Sequence, residues 1–407
     1  MSPASREQEE GGALGRAVTS AEAEALTSLE APSLPWWLRA SRWRQTSKAE
    51  AVAAERGLLG LLRGRWRVED VPVAASPEHY VHATTGGEPG APALVLMPGY
   101  GAGTGFFFRN LDGLAKAFQV FAVDWLGTGL SGRPDFTPAD RAGTEAFFLD
   151  SLNAWRAKAG LSKFILPPKP EGWERRFMSD AWSVRSALFR LAGKAWASGV
   201  TPGSVIRALG PWGPGLVERY VSGRFSMHGL PLSEREREAL TPYFYGITAQ
   251  RGSGEYALRH ILAPGAWAYA PLAERLLQLE VPVSFIYGEH DWMNPAAGQA
   301  VADALDAARR RTVPSDHRVD VLPDSGHFVF LEQPHLFNAA LLRALAPHLP
   351  AGRGDALAAE EEAAHADALR RAAAERSLRD WQAQVGGGAP PTGAPQQPPP
   401  GGQPPGA

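Results

Sequence analysis

Residues 93–103 read Ala93-Leu-Val-Leu-Met-Pro-Gly-Tyr-Gly-Ala-Gly103, an apolar run that breaks into three glycines within five positions. A short apolar run closed by turn residues predicts a buried strand. The closely spaced glycines that follow let backbone N–H groups converge on one point, where they can meet a developing negative charge. Upstream, apolar and polar residues alternate from Trp66 to about His82, which predicts a hairpin. Downstream, a helical stretch at Leu111–Phe118 leads to a second buried run, Val120-Phe-Ala-Val-Asp124, and to the turn Trp125-Leu-Gly-Thr-Gly-Leu-Ser131. Strand, turn, helix and strand at this spacing predict an α/β fold with a mostly parallel sheet.

A helix from about Thr144 to Ala159 then precedes a further strand start, Lys163-Phe-Ile-Leu166, which runs directly into Pro167 and Pro168. From about 170 to 275 the chain holds scattered tryptophans and amphipathic helical stretches without two-residue alternation, the texture of an inserted helical cap. Strand texture returns at Val281–Tyr287 and His317–Leu322, each followed by a turn and a helix. The expected division is a disordered leader at 1–32, the first half of the domain at 33–166, the cap at 167–278, the second half at 279–350, and a tail at 351–407. That tail is helical to about Val385, then rich in Pro and Gly.

With 41 basic and 43 acidic residues the formal charge is -2, so no general electrostatic field favours nucleic acid. The chain contains no cysteine, which excludes disulfides, thiolate metal sites and a cysteine nucleophile. No metal or cofactor is expected. No apolar run of about 18 residues predicts a membrane-spanning helix. The first thirty residues lack both the apolar core of a secretory signal and the acid-poor composition of a transit peptide. The chain is therefore expected to be cytoplasmic, either soluble or peripheral to a membrane.

Two later segments carry chemistry: Tyr287-Gly-Glu-His-Asp291-Trp-Met-Asn294 and Ser325-Gly-His327-Phe-Val-Phe-Leu-Glu-Gln-Pro334, each placed after a predicted strand. Together with the glycine turn they form an ordered set that resembles the α/β-hydrolase fold. Trp36-Trp37, Gly210-Pro-Trp-Gly-Pro-Gly-Leu216 and Gln333-Pro-His-Leu-Phe-Asn338 narrow the resemblance to the abhydrolase-domain 4/5 subfamily over residues 33–350. That subfamily includes the lipid-droplet lipase coactivator, a cardiolipin-type phospholipase and plant lysophosphatidate acyltransferase/lipases. The resemblance implies an acyl lipid or acyl-CoA substrate at a lipid-droplet or membrane surface. It implies His327 as the base, Asp291 as the residue that orients it, and the backbone of Tyr100 and Gly101 as the oxyanion hole.

Three departures qualify the resemblance. Pro98-Gly99 stands where the family has His-Gly, which leaves the backbone donors in place. The family's His-x4-Asp acyltransferase pattern is His327-x4-Glu332 here, and Glu332 reads equally as a surface charge. Third, no Gly-x-Ser-x-Gly exists in the sequence, so no nucleophile is assigned. The elbow strand, its helix and the next strand are expected to be absent as a block after Leu166. Ser131 and Ser325 lie in turns without the strand-to-helix setting a nucleophile needs. The readings that follow are an acyl-lipid hydrolase or acyltransferase impaired by loss of its serine, a non-catalytic lipid-surface scaffold or lipase coactivator, and a truncated, poorly folding product.

Trp36, Trp37 and Trp43 stand beside Arg39, Arg42 and Arg44, ahead of a capping-box signature at Ser47 and Glu50. The rings either staple the following helix to the core or sit at a lipid headgroup boundary, where tryptophan with nearby arginine is favoured. Replacing all three by alanine is expected to abolish flotation with liposomes; unchanged flotation assigns the rings to packing alone.

Overall fold

The computed structural model describes residues 46–162, 200–263, 267–270, 272–279, 281–309 and 317–385. The leader, Trp36, Trp37, Trp43, the Lys163–Leu166 strand start and the Pro/Gly-rich tail lie outside these residues.

In chain order the elements begin with α1 (Lys48–Leu59), the hairpin strands β1 (Arg67–Pro72) and β2 (Tyr80–Gly86), and β3 (Ala93–Leu96). Then come α2 (Leu111–Leu114), β4 (Gln119–Val123) and α3 (Arg141–Lys158). The region read as a cap contains α4 (Pro202–Ala208), α5 (Gly213–Arg224), α6 (Glu234–Ala249), α7 (Leu258–Ile261), the two-residue strands β5 (Leu262–Ala263) and β6 (Trp267–Ala268), and α8 (Ala273–Leu276). The chain continues through β7 (Ser284–Gly288), α9 (Pro295–Arg309), β8 (Arg318–Leu322), α10 (Val329–Glu332), α11 (Pro334–Ala344) and α12 (Arg353–Val385).

The capping box forms as its residues require. Ser47 Oγ accepts from the Glu50 N–H, and the Glu50 carboxylate accepts from the Ser47 N–H at 2.9 Å, which satisfies two of the free donors at the start of α1. The sheet is mixed. β3 and β4 pair in parallel with Ala93 opposite Gln119, whereas the hairpin joins antiparallel in the order β1-β2-β4-β3. Side chains alternate between its two faces. Val81, Ala83, Val95, Phe121 and Val123 pack on Trp155 of α3, while Leu94, Leu96, Val120 and Ala122 pack on the other side with Leu111, Leu114, Phe337 and Leu341.

β7 and β8 form a separate parallel pair joined through α9, with Ser284 opposite Arg318. Among the described residues no ladder links this pair to β3. The two pieces share α11 instead, since Leu94 and Leu96 of β3, Ile286 of β7 and Leu322 of β8 belong to the core that contains Phe337, Leu341 and Leu342.

Beneath the glycine turn lies a buried charge network. The His82 ring on β2 is 2% exposed, with Nδ1 2.7 Å from Asp70 Oδ1 and Nε2 3.0 Å from both Glu55 oxygens. Burial by itself lowers the His82 pKa, but the bonds to Asp70 and Glu55 outweigh it and raise the value to about 10. Asp124, at the end of β4, accepts from the N–H groups of Thr104 and Leu130, each at 2.8 Å. Complete burial pushes Asp124 up to about 6 against the opposing charge of His82 and these bonds.

Because His82 rises from 6.5 to about 10 on folding, the stability its proton contributes is complete below pH 6.5 and is lost as the pH climbs through 10. The raised Asp124 acts in the same sense at lower pH, between its ordinary 3.8 and about 6. Thermal denaturation is therefore expected to show a falling Tm from pH 6.5 to 10, and His82→Gln to flatten that fall. An equal slope in the variant would contradict the assignment.

Candidate active site

The site grows from two loops at the carboxyl ends of adjacent parallel strands, where α/β sheets gather their ligands. After β7 the chain turns at Gly288, where an added Cβ would stand 2.3 Å from the Gly326 carbonyl oxygen and 2.4 Å from that of Ser325. Only glycine allows this approach. The loops are then stitched together. Glu289 N–H donates to the Leu322 carbonyl at 2.9 Å, and His290 N–H donates to the Ser325 carbonyl at 2.8 Å.

This stitching sets Asp291 opposite His327. The Asp291 side chain is 3% exposed, and its Oδ1 accepts from the Met293 N–H at 3.2 Å. Nδ1 of His327 lies 3.1 Å from Asp291 Oδ1 and 3.3 Å from Oδ2. A carboxylate on Nδ1 favours the tautomer whose Nε2 carries the lone pair, which is the form a base needs. The His327 ring is bracketed by Trp292 at 4.9 Å and Phe328 at 5.7 Å between centroids.

The glycine turn approaches this pair through aromatic packing. It continues into a 3-10 helix at Thr104–Phe107, and the Phe106 ring lies 6.0 Å from that of Phe328, the neighbour of His327. Gly101 takes the left-handed φ of 74°. Among the described residues no hydrogen bond joins the Tyr100–Gly101 backbone to His327 or Asp291. The Tyr100 phenol turns toward Thr201, which caps α4, and toward Glu255 of the Gly254–Ala257 turn; desolvation of the phenol and then the Glu255 charge raise its pKa.

Glu332 corrects the sequence reading. The surface-charge alternative fails, because Glu332 is 1% exposed and pairs with Arg224 of α5, Nη1 to Oε1 at 2.5 Å. Its other oxygen accepts from the Gly326 N–H, one residue before His327. Arg224 carried no signal in the sequence, since it is one of several charges on a cap helix and meets Glu332 only through tertiary folding. Both candidate serines are committed to backbone. Ser131 Oγ donates to the Asp124 carbonyl at 2.8 Å and accepts from the His82 N–H, and Ser325 Oγ donates to the Leu322 carbonyl at 2.9 Å.

Set against known proteins, residues 94–340 match the model described as the alpha/beta hydrolase family. The chain belongs to that family. It is 37% identical to a 1-acylglycerol-3-phosphate O-acyltransferase of Arabidopsis thaliana over 354 residues, which covers 76% of this chain and 83% of the relative. It is 30% identical to the human (lyso)-N-acylphosphatidylethanolamine lipase, covering 61% and 77%, and 28% identical to the human 1-acylglycerol-3-phosphate O-acyltransferase ABHD5, covering 60% and 75%. Family and relatives together place the chain in the abhydrolase-domain 4/5 subfamily.

The Arg224–Glu332 pair ties α5 to the backbone beside His327. Removing one member of a buried pair leaves an uncompensated charge and costs about 3–5 kcal/mol. Arg224→Ala is expected at the low end, about 3 kcal/mol, because Glu332 keeps the Gly326 bond. Chemical denaturation checks this, and a change under about 1 kcal/mol would show that the pair contributes little.

Proposed function

We propose that the chain is built to handle the ester bond of an acyl lipid, with His327 as base, Asp291 as its orienting carboxylate and the Tyr100–Gly101 backbone as oxyanion hole. The observation that carries the reading is the 3.1 Å contact between His327 Nδ1 and Asp291 on loops stitched by backbone bonds. The names of the relatives supply the substrate class: an acylglycerol phosphate, an N-acylated phosphatidylethanolamine or a related phospholipid. Tryptophans at 36, 37 and 43 would bring the chain to the lipid surface.

In a hydrolase of this design the base takes a proton from a serine that attacks the ester carbonyl, and the hole stabilises the oxyanion. This chain lacks Gly-x-Ser-x-Gly, and neither Ser131 nor Ser325 has a hydroxyl free for attack. The match to the plant relative runs over 354 positions but takes in only 76% of the 407 residues, so it includes positions that this chain lacks. The chain as it stands therefore binds acyl lipid without efficient turnover. A role as a lipid-surface scaffold or lipase coactivator is the second reading, favoured by the same missing serine beside an intact base.

The test is labelling with a serine-directed fluorophosphonate probe, on this chain and on a version carrying a family-type strand, elbow, helix and strand after Leu166. Labelling of the restored chain alone is expected. Strong labelling of the chain as it stands would reveal an overlooked nucleophile and sink the impaired reading, whereas labelling of neither would remove the Asp291–His327 pair from esterase chemistry.

A further inference from the structure

Beside the acid–base pair, but on its outer side, three loops present nitrogen and oxygen donors to one another. His228 lies between α5 and α6, His290 follows β7, and Asp324 follows β8. One ligand atom from each lies within 4.8 Å of the others. His228 Nδ1 is 3.9 Å from Asp324 Oδ1, and the two imidazole rings sit 4.7 Å apart at 31°.

The backbones behind these side chains are fixed independently. Leu230 N–H donates to the Glu332 carbonyl at 2.8 Å, holding the His228 loop, and His290 is held by its bond to Ser325. Asp324 takes φ 45°, the only positive value at a non-glycine among the described residues. Its N–H donates to Glu289 Oε2 at 3.0 Å, and its carbonyl accepts from Gln333 Nε2 at 3.3 Å. The side chains, by contrast, are accessible: His290 and Asp324 are exposed and His228 is half-buried.

We propose that His228, His290 and Asp324 form a site for a divalent transition-metal ion of the Zn²⁺ class, which ties the loop after α5 to the two loops that carry Asp291 and His327. Two imidazoles with one carboxylate make a donor set that suits Zn²⁺, Co²⁺ or Ni²⁺, whereas Ca²⁺ and Mg²⁺ take oxygen ligands. Tetrahedral Zn²⁺ with bonds of about 2.1 Å needs donors about 3.4 Å apart, so exposed side chains at the observed separations close on an ion by small rotations. Glu289, with Oε2 4.0 Å from His290 Nε2, adds a second carboxylate that offsets the ion's charge. No covalent step is involved; held by three protein ligands, the ion would keep a water in its fourth position while joining the loop after α5 to the two strand-end loops.

The experiment uses tag-free full chain, stripped with a chelator and titrated with ZnCl₂ by calorimetry, with Tm measured with and without the metal. One Zn²⁺ per chain and a raised Tm are expected. Losing ligands should weaken binding by more than the tenfold or so that outer-shell partners already cost, both in His228→Gln/His290→Gln and in Asp324→Asn, which retains a residue tolerant of positive φ. His327→Gln should bind as the wild type does. Loading with Co²⁺ gives a second readout, a visible absorption band present in wild type and lost in the double variant, scored only on protein with unaltered circular dichroism. No binding by wild type, equal binding by the double variant, or loss in His327→Gln instead would each overturn the site.

Discussion

At Gly288 the chain leaves β7 so close to the Ser325–Gly326 backbone that no side chain fits between them. The position of Asp291 and His327 follows from that approach, since Asp291 lies three positions after Gly288 and His327 directly follows Gly326. A hydrogen bond of 3.1 Å between two side chains has a modest net worth when either can rotate away, about 1.5–3 kcal/mol for a charged partner. Its persistence here comes from backbone bonds that leave the carboxylate and the ring few other places to be. The carboxylate is held a second time by the Met293 N–H, and Glu332 holds Gly326 from below.

The same logic runs through the interior. Asp124 is buried completely, and that cost is offset in part by two N–H donors and by the charge of His82. His82 in turn is charged because Glu55 and Asp70 face its two nitrogens. The four groups come from α1, β1, β2 and β4, so the network is satisfied only when the hairpin, the first helix and the end of β4 are all in place. It also reaches the glycine turn through the Thr104 N–H and hydroxyl. The turn read as an oxyanion hole is therefore shaped by a charge cluster that the turn residues themselves do not disclose.

What the sequence disclosed was whatever is written locally. Ser47 and Glu50 specify a helix start by their own hydrogen bonds, and the short apolar runs at Ala93–Leu96 and Val120–Val123 specify two buried strands, because such a run is a property of neighbouring residues. The Asp291–His327 contact was legible in part, since both follow strands in a family order. Glu332 was not, because its burial depends on Arg224, 108 positions earlier. The convergence of His228, His290 and Asp324 is equally silent in one dimension, with spacing unlike any local ligand motif. The hairpin and the parallel pairing of β3 with β4 were legible, but the order β1-β2-β4-β3, which sets β2 beside β4, was not, and the strand start at Lys163–Leu166 lies outside the described residues.

In a chain without Gly-x-Ser-x-Gly, the Asp291–His327 contact raises the question of what keeps it in place. In many enzymes that question is answered by turnover, but here the geometry has an answer in packing alone. α11 follows directly from the His327 segment and buries Phe337, Leu341 and Leu342 against β3, β7 and β8 at once. Burying one such side chain is worth about 1.5–3 kcal/mol, so displacing the His327 loop would disturb a core far larger than the hydrogen bond it carries. The pair therefore survives as a consequence of the fold's assembly, and its presence alone is no measure of catalysis. Hydrolysis by this pair would require a serine oxygen within reach of His327 Nε2, a requirement separate from the core, the stitched loops and the buried charges.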